Sequence, residues 1–232
     1  MKTGRVVLFC HSLASDWNHG NAHFLRGVAR ELVARGFTVD AWEPADGWSA
    51  TNLRAEAGPT ALDAWRIAYP TLSSRSYELE ALDLDEILAE AAIVLVHEWN
   101  QAELIRRIGH HRRRAGSYLL LFHDTHHRMA TDAGALADDD LDGYDGVLAF
   151  GAVIAELYRR RGWGRQVFTW HEAADITLFR PQPDIGPERD LVWIGNWGDD
   201  ERAAELREFL IEPVHALGLR ARIHGVRYPE PA

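Results

Sequence analysis

The chain has one cysteine, Cys10, in 232 residues, so no intrachain disulfide can form and a disulfide framework is excluded. A reducing compartment suits such a chain, and the expected setting is cytoplasmic. No apolar run approaches the roughly 20 residues of a membrane span; the longest, near Ala91–Val96, is strand-sized. The first residues turn polar too soon for a secretory signal. Positive charge is scarce: 25 Lys and Arg against 35 Asp and Glu leave a formal net charge of −10. From that balance no nucleic acid is expected among the partners, although a local cationic pocket remains compatible with it. Phosphate-cradling motifs are missing too, with no GxGxxG after the first strand and no GxxxxGK[ST] anywhere. The absence of a GxSxG elbow argues against a Ser-His-Asp hydrolase. What remains is an ordinary globular composition, 47% hydrophobic and 26% charged, long enough for one large domain or one and a half.

Strand-sized apolar runs alternate with helix-period segments along the chain. Arg5–Cys10 reads as a buried strand. Phe24, Val28 and Leu32, flanked by Leu25, Ala29 and Val33, form one apolar helical face within Gly20–Arg35, and Gly36 stands where a helix-terminating glycine belongs. Phe37–Trp42 then completes a βαβ unit. Glu43–Arg75 is irregular, punctuated by Pro44, Gly47, Gly58, Pro59 and Pro70, and reads as an ordered excursion that shelters Trp48 and Trp65. Beyond it come a helix over Leu82–Ala91, strands at Ala92–His97 and Ser117–Phe122 around a helix over Gln101–Arg114, and strands at Gly146–Phe150 and Gln166–Trp170 around a helix over Ala152–Arg161. This alternation predicts a parallel sheet covered on both faces. The expected organisation is an N-terminal domain over residues 1–180, a proline-rich linker over 181–189, and a single βαβ unit over 190–232, with its helix bent at Pro213. That last unit is too small for a core of its own and reads as the start of a second domain.

Histidine is abundant, 12 in all, and clustered with carboxylates where strands are expected to end. His97 and Glu98 follow one strand; His123, Asp124, His126 and His127 with Arg128 follow the next; His171 and Glu172 follow a later one. Parallel strands put such ends on one edge, the edge at which doubly wound sheets bind ligands. The loop Ser15–His23 enters a helix at that edge, where Asn18, His19 and Gly20 could face an anion. Zinc is the less favoured use of the histidines: His171 to Asp175 copies HExxH with its last ligand replaced, and the other spacings do not close a site. The acidic run Asp138–Asp142 contains overlapping DxD triplets but reads as a solvated loop, and Arg106, Arg107 and Arg112–Arg114 read as a helix end favoured by the dipole.

The stretch Asn18–Val39, the run Phe122–Arg128, and Trp170–Pro181 with its Asp175-x-x-x-Phe179-x-Pro181 ending resemble GT-B glycosyltransferases, in particular the family 4 and spore-maturation (CgeB-like) branch. The resemblance implies an α/β architecture: a Rossmann-like, doubly wound N-terminal domain on the acceptor side, then the first βαβ unit of a second, nucleotide-sugar-binding one. It implies transfer of a sugar from a nucleotide-sugar to an acceptor hydroxyl, with a glycan or other hydroxyl compound as acceptor, no cofactor and no metal. His123 or His126 would sit at the reacting centre with Asp124 orienting an imidazole. Asn18, His19, Gly20, His97, Glu98, His127, Arg128, His171 and Glu172 would bind substrate. An inverting reaction would use a histidine as base, and a retaining one would use it to hydrogen-bond the sugar. Trp17, Trp48 and Trp99 would supply stacking surfaces. The family's later donor motif has no counterpart here, so the chain is expected to be a fragment or to need another chain, to bind nucleotide-sugars weakly or not at all and be inactive when isolated, and to self-associate through its half-built unit. The alternatives are a non-catalytic glycan- or partner-binding lobe and a metal-dependent hydrolase using the histidines.

Overall fold

The computed structural model describes residues 4–14, 20–125, 136, 140–181, 183, 186, 189–198, 200–225 and 227–229. Its contacts divide the chain into two units, Met1–Leu178 and Phe179–Ala232.

The first unit is built on a sheet whose central strands are apolar on both faces. In β1 (Arg5–Phe9), Val7 and Phe9 enter one core while Val6 and Leu8 enter the other. Alternate side chains of a strand point to opposite faces, so this pattern requires a helical layer on each side. One face is covered by α1 (Ala22–Ala34), through Phe24, Leu25 and Ala29. The other is covered by α5 (Ala102–Arg114) and α6 (Ala152–Arg161), through Leu104, Ile105, Ile108, Ile154 and Tyr158. Between them lie β2 (Thr38–Pro44), α2 (Trp48–Ala57), α3 (Ala61–Ala68), β3 (Ser74–Tyr77), the single turn α4 (Leu84–Ile87), β4 (Ala91–His97), β5 (Leu119–Asp124), β6 (Gly146–Ala149) and β7 (Val167–Thr169). All seven strands pair in parallel in the order β3-β2-β1-β4-β5-β6-β7. The strand order reverses between β1 and β4, which is where a doubly wound sheet opens a crevice at its carboxyl edge. The unit is therefore a single Rossmann-like parallel α/β domain.

Gly36 ends α1 as the sequence predicts, with φ +85° and its N–H on the Val33 carbonyl at 2.9 Å. Three expectations need correction. Glu43–Arg75 is mostly regular: it holds α2, α3 and the start of the edge strand β3, whose short polar sequence Ser74-Arg75-Ser76 gives no apolar alternation to read. The helix expected over Leu82–Ala91 shrinks to Leu84–Ile87, capped by the Asp83 side chain and stopped before Glu90, which has φ +58°. And β5 runs on through Asp124, so His123 and Asp124 are strand residues rather than residues of the following loop.

The second unit contains a parallel pair, β8 (Leu191–Ile194) with β9 (Ala221–His224), joined through α7 (Asp200–Leu206), a π-helical turn (Arg207–Ile211) and α8 (Glu212–Leu217). The π turn falls just before Pro213, which has no N–H to offer the carbonyl of Phe209. No helix among the described residues is long and apolar enough to cross a membrane.

Close backbone approach sets the α5 layer. A Cβ on Gly143 would lie 2.2 Å from the Gly109 carbonyl oxygen, while Tyr144 bonds its hydroxyl to the Ile105 carbonyl at 3.0 Å. Gly143→Ala is expected to destabilise the protein by about 2–3 kcal/mol. Gly186→Ala, with open space at its Cβ position, is the neutral control. Urea unfolding midpoints of the two variants check this.

Candidate functional site

The carboxyl ends of β1, β4 and β5 meet at the strand-order reversal. Asn100 clamps the first two: its amide donates to the carbonyls of Phe9 (2.9 Å) and His97 (2.7 Å) and accepts from the Tyr77 hydroxyl at 3.0 Å. His97 and His123 are register partners on β4 and β5, with ring centroids 5.3 Å apart. The Glu98 N–H bonds to the His123 carbonyl at 2.9 Å, locking the two strand ends together.

The side chains above this frame form a buried network. The Thr125 N–H donates to Glu98 Oε1 at 2.8 Å. His97 Nδ1 accepts from the Trp99 N–H at 3.3 Å, so its Nε2–H donates to Thr125 Oγ1 at 3.1 Å. The hydroxyl proton of Thr125 is offered in turn to Glu98 Oε1 (2.8 Å) or to Asn21 Oδ1 (2.7 Å). With its amide so oriented, Asn21 donates Nδ2 to both oxygens of Glu172 at 3.2 and 3.3 Å. On the far side the Tyr158 hydroxyl donates to Asp124 Oδ2 at 2.7 Å. Burial, then the neighbouring Asp124, pushes the Glu98 carboxyl up to about 8, and Glu98 Oε2 is bonded to no fixed N–H or O–H. A proton kept between Glu98 and Asp124 accounts for both facts. Burial first, then Asp124, also raises the Tyr158 hydroxyl, keeping it a donor. Glu172, half-buried at the margin, is pushed up to about 7 by desolvation.

His123 lies wholly enclosed among His97, Phe24 and Trp170, with ring centroids at 5.3, 5.6 and 4.8 Å. Burial lowers its imidazole to about 3, and neither ring nitrogen has a hydrogen-bond partner. Asp124 serves Tyr158 and Glu98 and does not orient this imidazole, so His123 is a neutral ring in an aromatic box; the other imidazole that Asp124 was expected to orient, that of His126, lies outside the described residues. The structure thus brings His97, Glu98, His123 and Asp124 together and links Glu172 to them through Asn21 and Thr125. His171 is exposed, and Gly20 has open space at its Cβ position. Asn18, His19, His126, His127, Arg128 and Trp17 lie outside the described residues. Trp48 stacks on His11 at 4.5 Å, and Trp99 is half-buried. Asp175 is occupied elsewhere, paired with Arg30 at 3.0 Å and accepting from the Thr177 N–H and hydroxyl. Among the described residues no group of three or more His, Cys, Asp or Glu is placed to hold a metal ion.

Sequence reasoning passed over Asn21, Asn100, Thr125 and Tyr158. Asn100 and Thr125 adjoin the ionisable residues, and a buried charge needs a neighbouring donor, which is the signal that could have found them. Tyr158 has no such signal, since only the fold carries α6 to the end of β5.

The raised Glu98 carboxyl has a defined consequence for stability. Its proton is held more tightly folded than unfolded, so this contribution is complete below about pH 4.5 and is lost as pH rises through about 8. Glu98→Gln, whose amide can donate to Asp124, is expected to match the wild type near pH 5 and to exceed its stability near pH 9. Urea midpoints across that range check the sign.

No family model and no curated protein matches the chain. Among solved structures it is similar to an alpha-glucosyltransferase in complex with UDP and a 13-mer DNA containing a HMU base, at 12% identity, covering 91% of this chain and 55% of that one with a TM-score of 0.56. An alpha-glucosyltransferase in complex with UDP matches over 98% of this chain and 59% of that one, at 12% identity and TM-score 0.56. Another, with UDP-glucose and DNA containing an abasic site, matches over 91% and 55%, again at 12% and 0.56. The chain spans a little over half the length of these structures. They overturn the exclusion of nucleic acid drawn from the net charge of −10, because proteins of this fold are found bound to DNA. Net charge sums over the whole chain, whereas binding depends on local placement. The likeness is one of fold, and that fold is GT-B-like.

Proposed function

We propose that this chain carries the acceptor-side lobe of a GT-B glycosyltransferase of the family 4 or CgeB-like kind, with residues 190–232 beginning a nucleotide-sugar-binding unit. The observation that supports it most is the hydrogen-bonded network of ionisable groups at the β1/β4 reversal, in a fold shared with UDP-bound glucosyltransferases. The reaction joins an acceptor hydroxyl oxygen to the anomeric carbon of the donor. The bond from that carbon to the diphosphate breaks, and its electron pair leaves with the nucleoside diphosphate. Glu172 takes the hydroxyl proton, because a carboxyl pushed up to about 7 is poised for proton transfer near neutral pH. Asn21 and Thr125 hold it there. His97 and the neutral His123 floor the site, and the roles that the family resemblance gives to Asn18, His19, Gly20, His126, His127 and Arg128 go with this reading.

The test is consumption of UDP-, GDP- and dTDP-sugars by the full chain against glycans and DNA containing an HMU base as acceptors. Glu172→Gln is expected to lower kcat by about 10²–10⁴-fold and to abolish the rise of rate with pH through about 7. Transfer whose rate and pH profile Glu172→Gln leaves unchanged overturns the reading.

A further inference from the structure

A cavity lies on the α1 side of the sheet, between the edge strands and the α2–α3 pair, with a volume of about 320 Å³. Its floor is unusual for a sheet face roofed by helices. Glu43 and Ser76 are register partners on β2 and β3, and Ser74 pairs with Ala41 two positions back, so Glu43, Ser74 and Ser76 share one face. Where helices cover a sheet the interface is ordinarily apolar. Here two serines and a carboxylate stand in its place, and the helices above pack loosely. Among its residues α3 buries none, and α2 buries only Ser49. The roof contributes Arg54 from α2 and Trp65 and Arg66 from α3. The Trp65 indole N–H is buried and has no acceptor.

Charge in the cavity is balanced. Arg66 pairs with Asp63 at 3.0 Å, and Arg54 acts on the buried Glu43, so no surplus cation is left to draw an anion. Hydroxyls, a carboxylate, a guanidinium and one indole are the groups that hydrogen-bond a polyol while stacking on one face of its ring. The volume sits at the small end of ligand pockets, suited to a single sugar ring. The geometry points to a binding site for a neutral monosaccharide unit, separate from the His97–Thr125 network. The site also touches the loop after β1: Ala14 lines it, and Glu43 accepts from the Leu13 N–H at 2.7 Å. The inference is independent of the transfer reading, and failure of nucleotide-sugar binding leaves it intact.

Saturation-transfer NMR on the full chain tests it, with methyl α-D-glucopyranoside as the neutral probe and glucose 6-phosphate as the charged one. Saturable binding of the neutral glycoside in the range of about 1 mM is expected, with weaker binding of the phosphate. Ser76→Leu, which fills the cavity from an exposed strand position, and Arg54→Ala are each expected to weaken it at least tenfold, while saturating UDP leaves it unchanged. Thermal melts confirm folding, and Arg54→Ala carries the test if Ser76→Leu does not fold. No saturable binding, preference for the phosphate, displacement by UDP, or indifference to the folded cavity variants overturns the proposal.

Discussion

Two carboxyl groups, Glu98 and Asp124, are buried side by side at the ends of adjacent strands, and the architecture of the site follows from keeping them apart from water. A buried carboxylate left without donors is costly, and two side by side are more so. The protein meets this with a backbone N–H from Thr125, a hydroxyl from Tyr158 and the retained proton itself. Each of those partners belongs to a different element, so the arrangement binds β4, β5 and α6 into one rigid edge. The Glu98 N–H on the His123 carbonyl completes the lock.

That rigidity extends outward through Thr125. Its hydroxyl accepts from His97, which fixes that imidazole's tautomer, and reaches Asn21 at the start of α1, which in turn holds Glu172. Glu172 is the one carboxyl of this network that is only half-buried, and desolvation alone raises it. Glu98 in the interior therefore keeps its proton to about pH 8, while Glu172 at the margin releases its own at about 7. His123 lies deeper still: a neutral ring with both nitrogens unpartnered departs from the rule that buried polar groups are satisfied. Such departures concentrate at functional sites, and this one lies at the sheet's crevice.

The edge strands behave differently. β3 is short and polar, as edge strands are when pairing with other chains is avoided, and its serines leave space beneath α2 and α3 instead of filling it. The protein thus carries a dry, tightly bonded centre and a wetter flank on one sheet, linked through the loop after β1 by Ser12, Leu13 and Glu43.

By itself the sequence determined the layers. Val6–Phe9 and Ala91–Val96 are apolar at every position that faces a helix, Phe24, Leu25 and Ala29 recur at helical spacing, and Gly36 supplies the positive φ that ends α1; these are local patterns with one physical solution each. It also brought His97 and His123 to one edge, because parallel strands leave no other place for their ends. It did not determine the reach of β5, since nothing in His123 or Asp124 resembles a strand residue until Tyr158 and Glu98 are packed around them. Nor did it reveal β3, α2 and α3: β3 is short and polar, α2 has little apolar periodicity, and α3 is a short helix set between Pro59 and Pro70. Tertiary structure alone decided which ionisable groups are neutral. The charge state of Glu98, His123 and Glu172 depends on desolvation and on partners 26 to 151 positions away, and no local reading of the chain contains that distance.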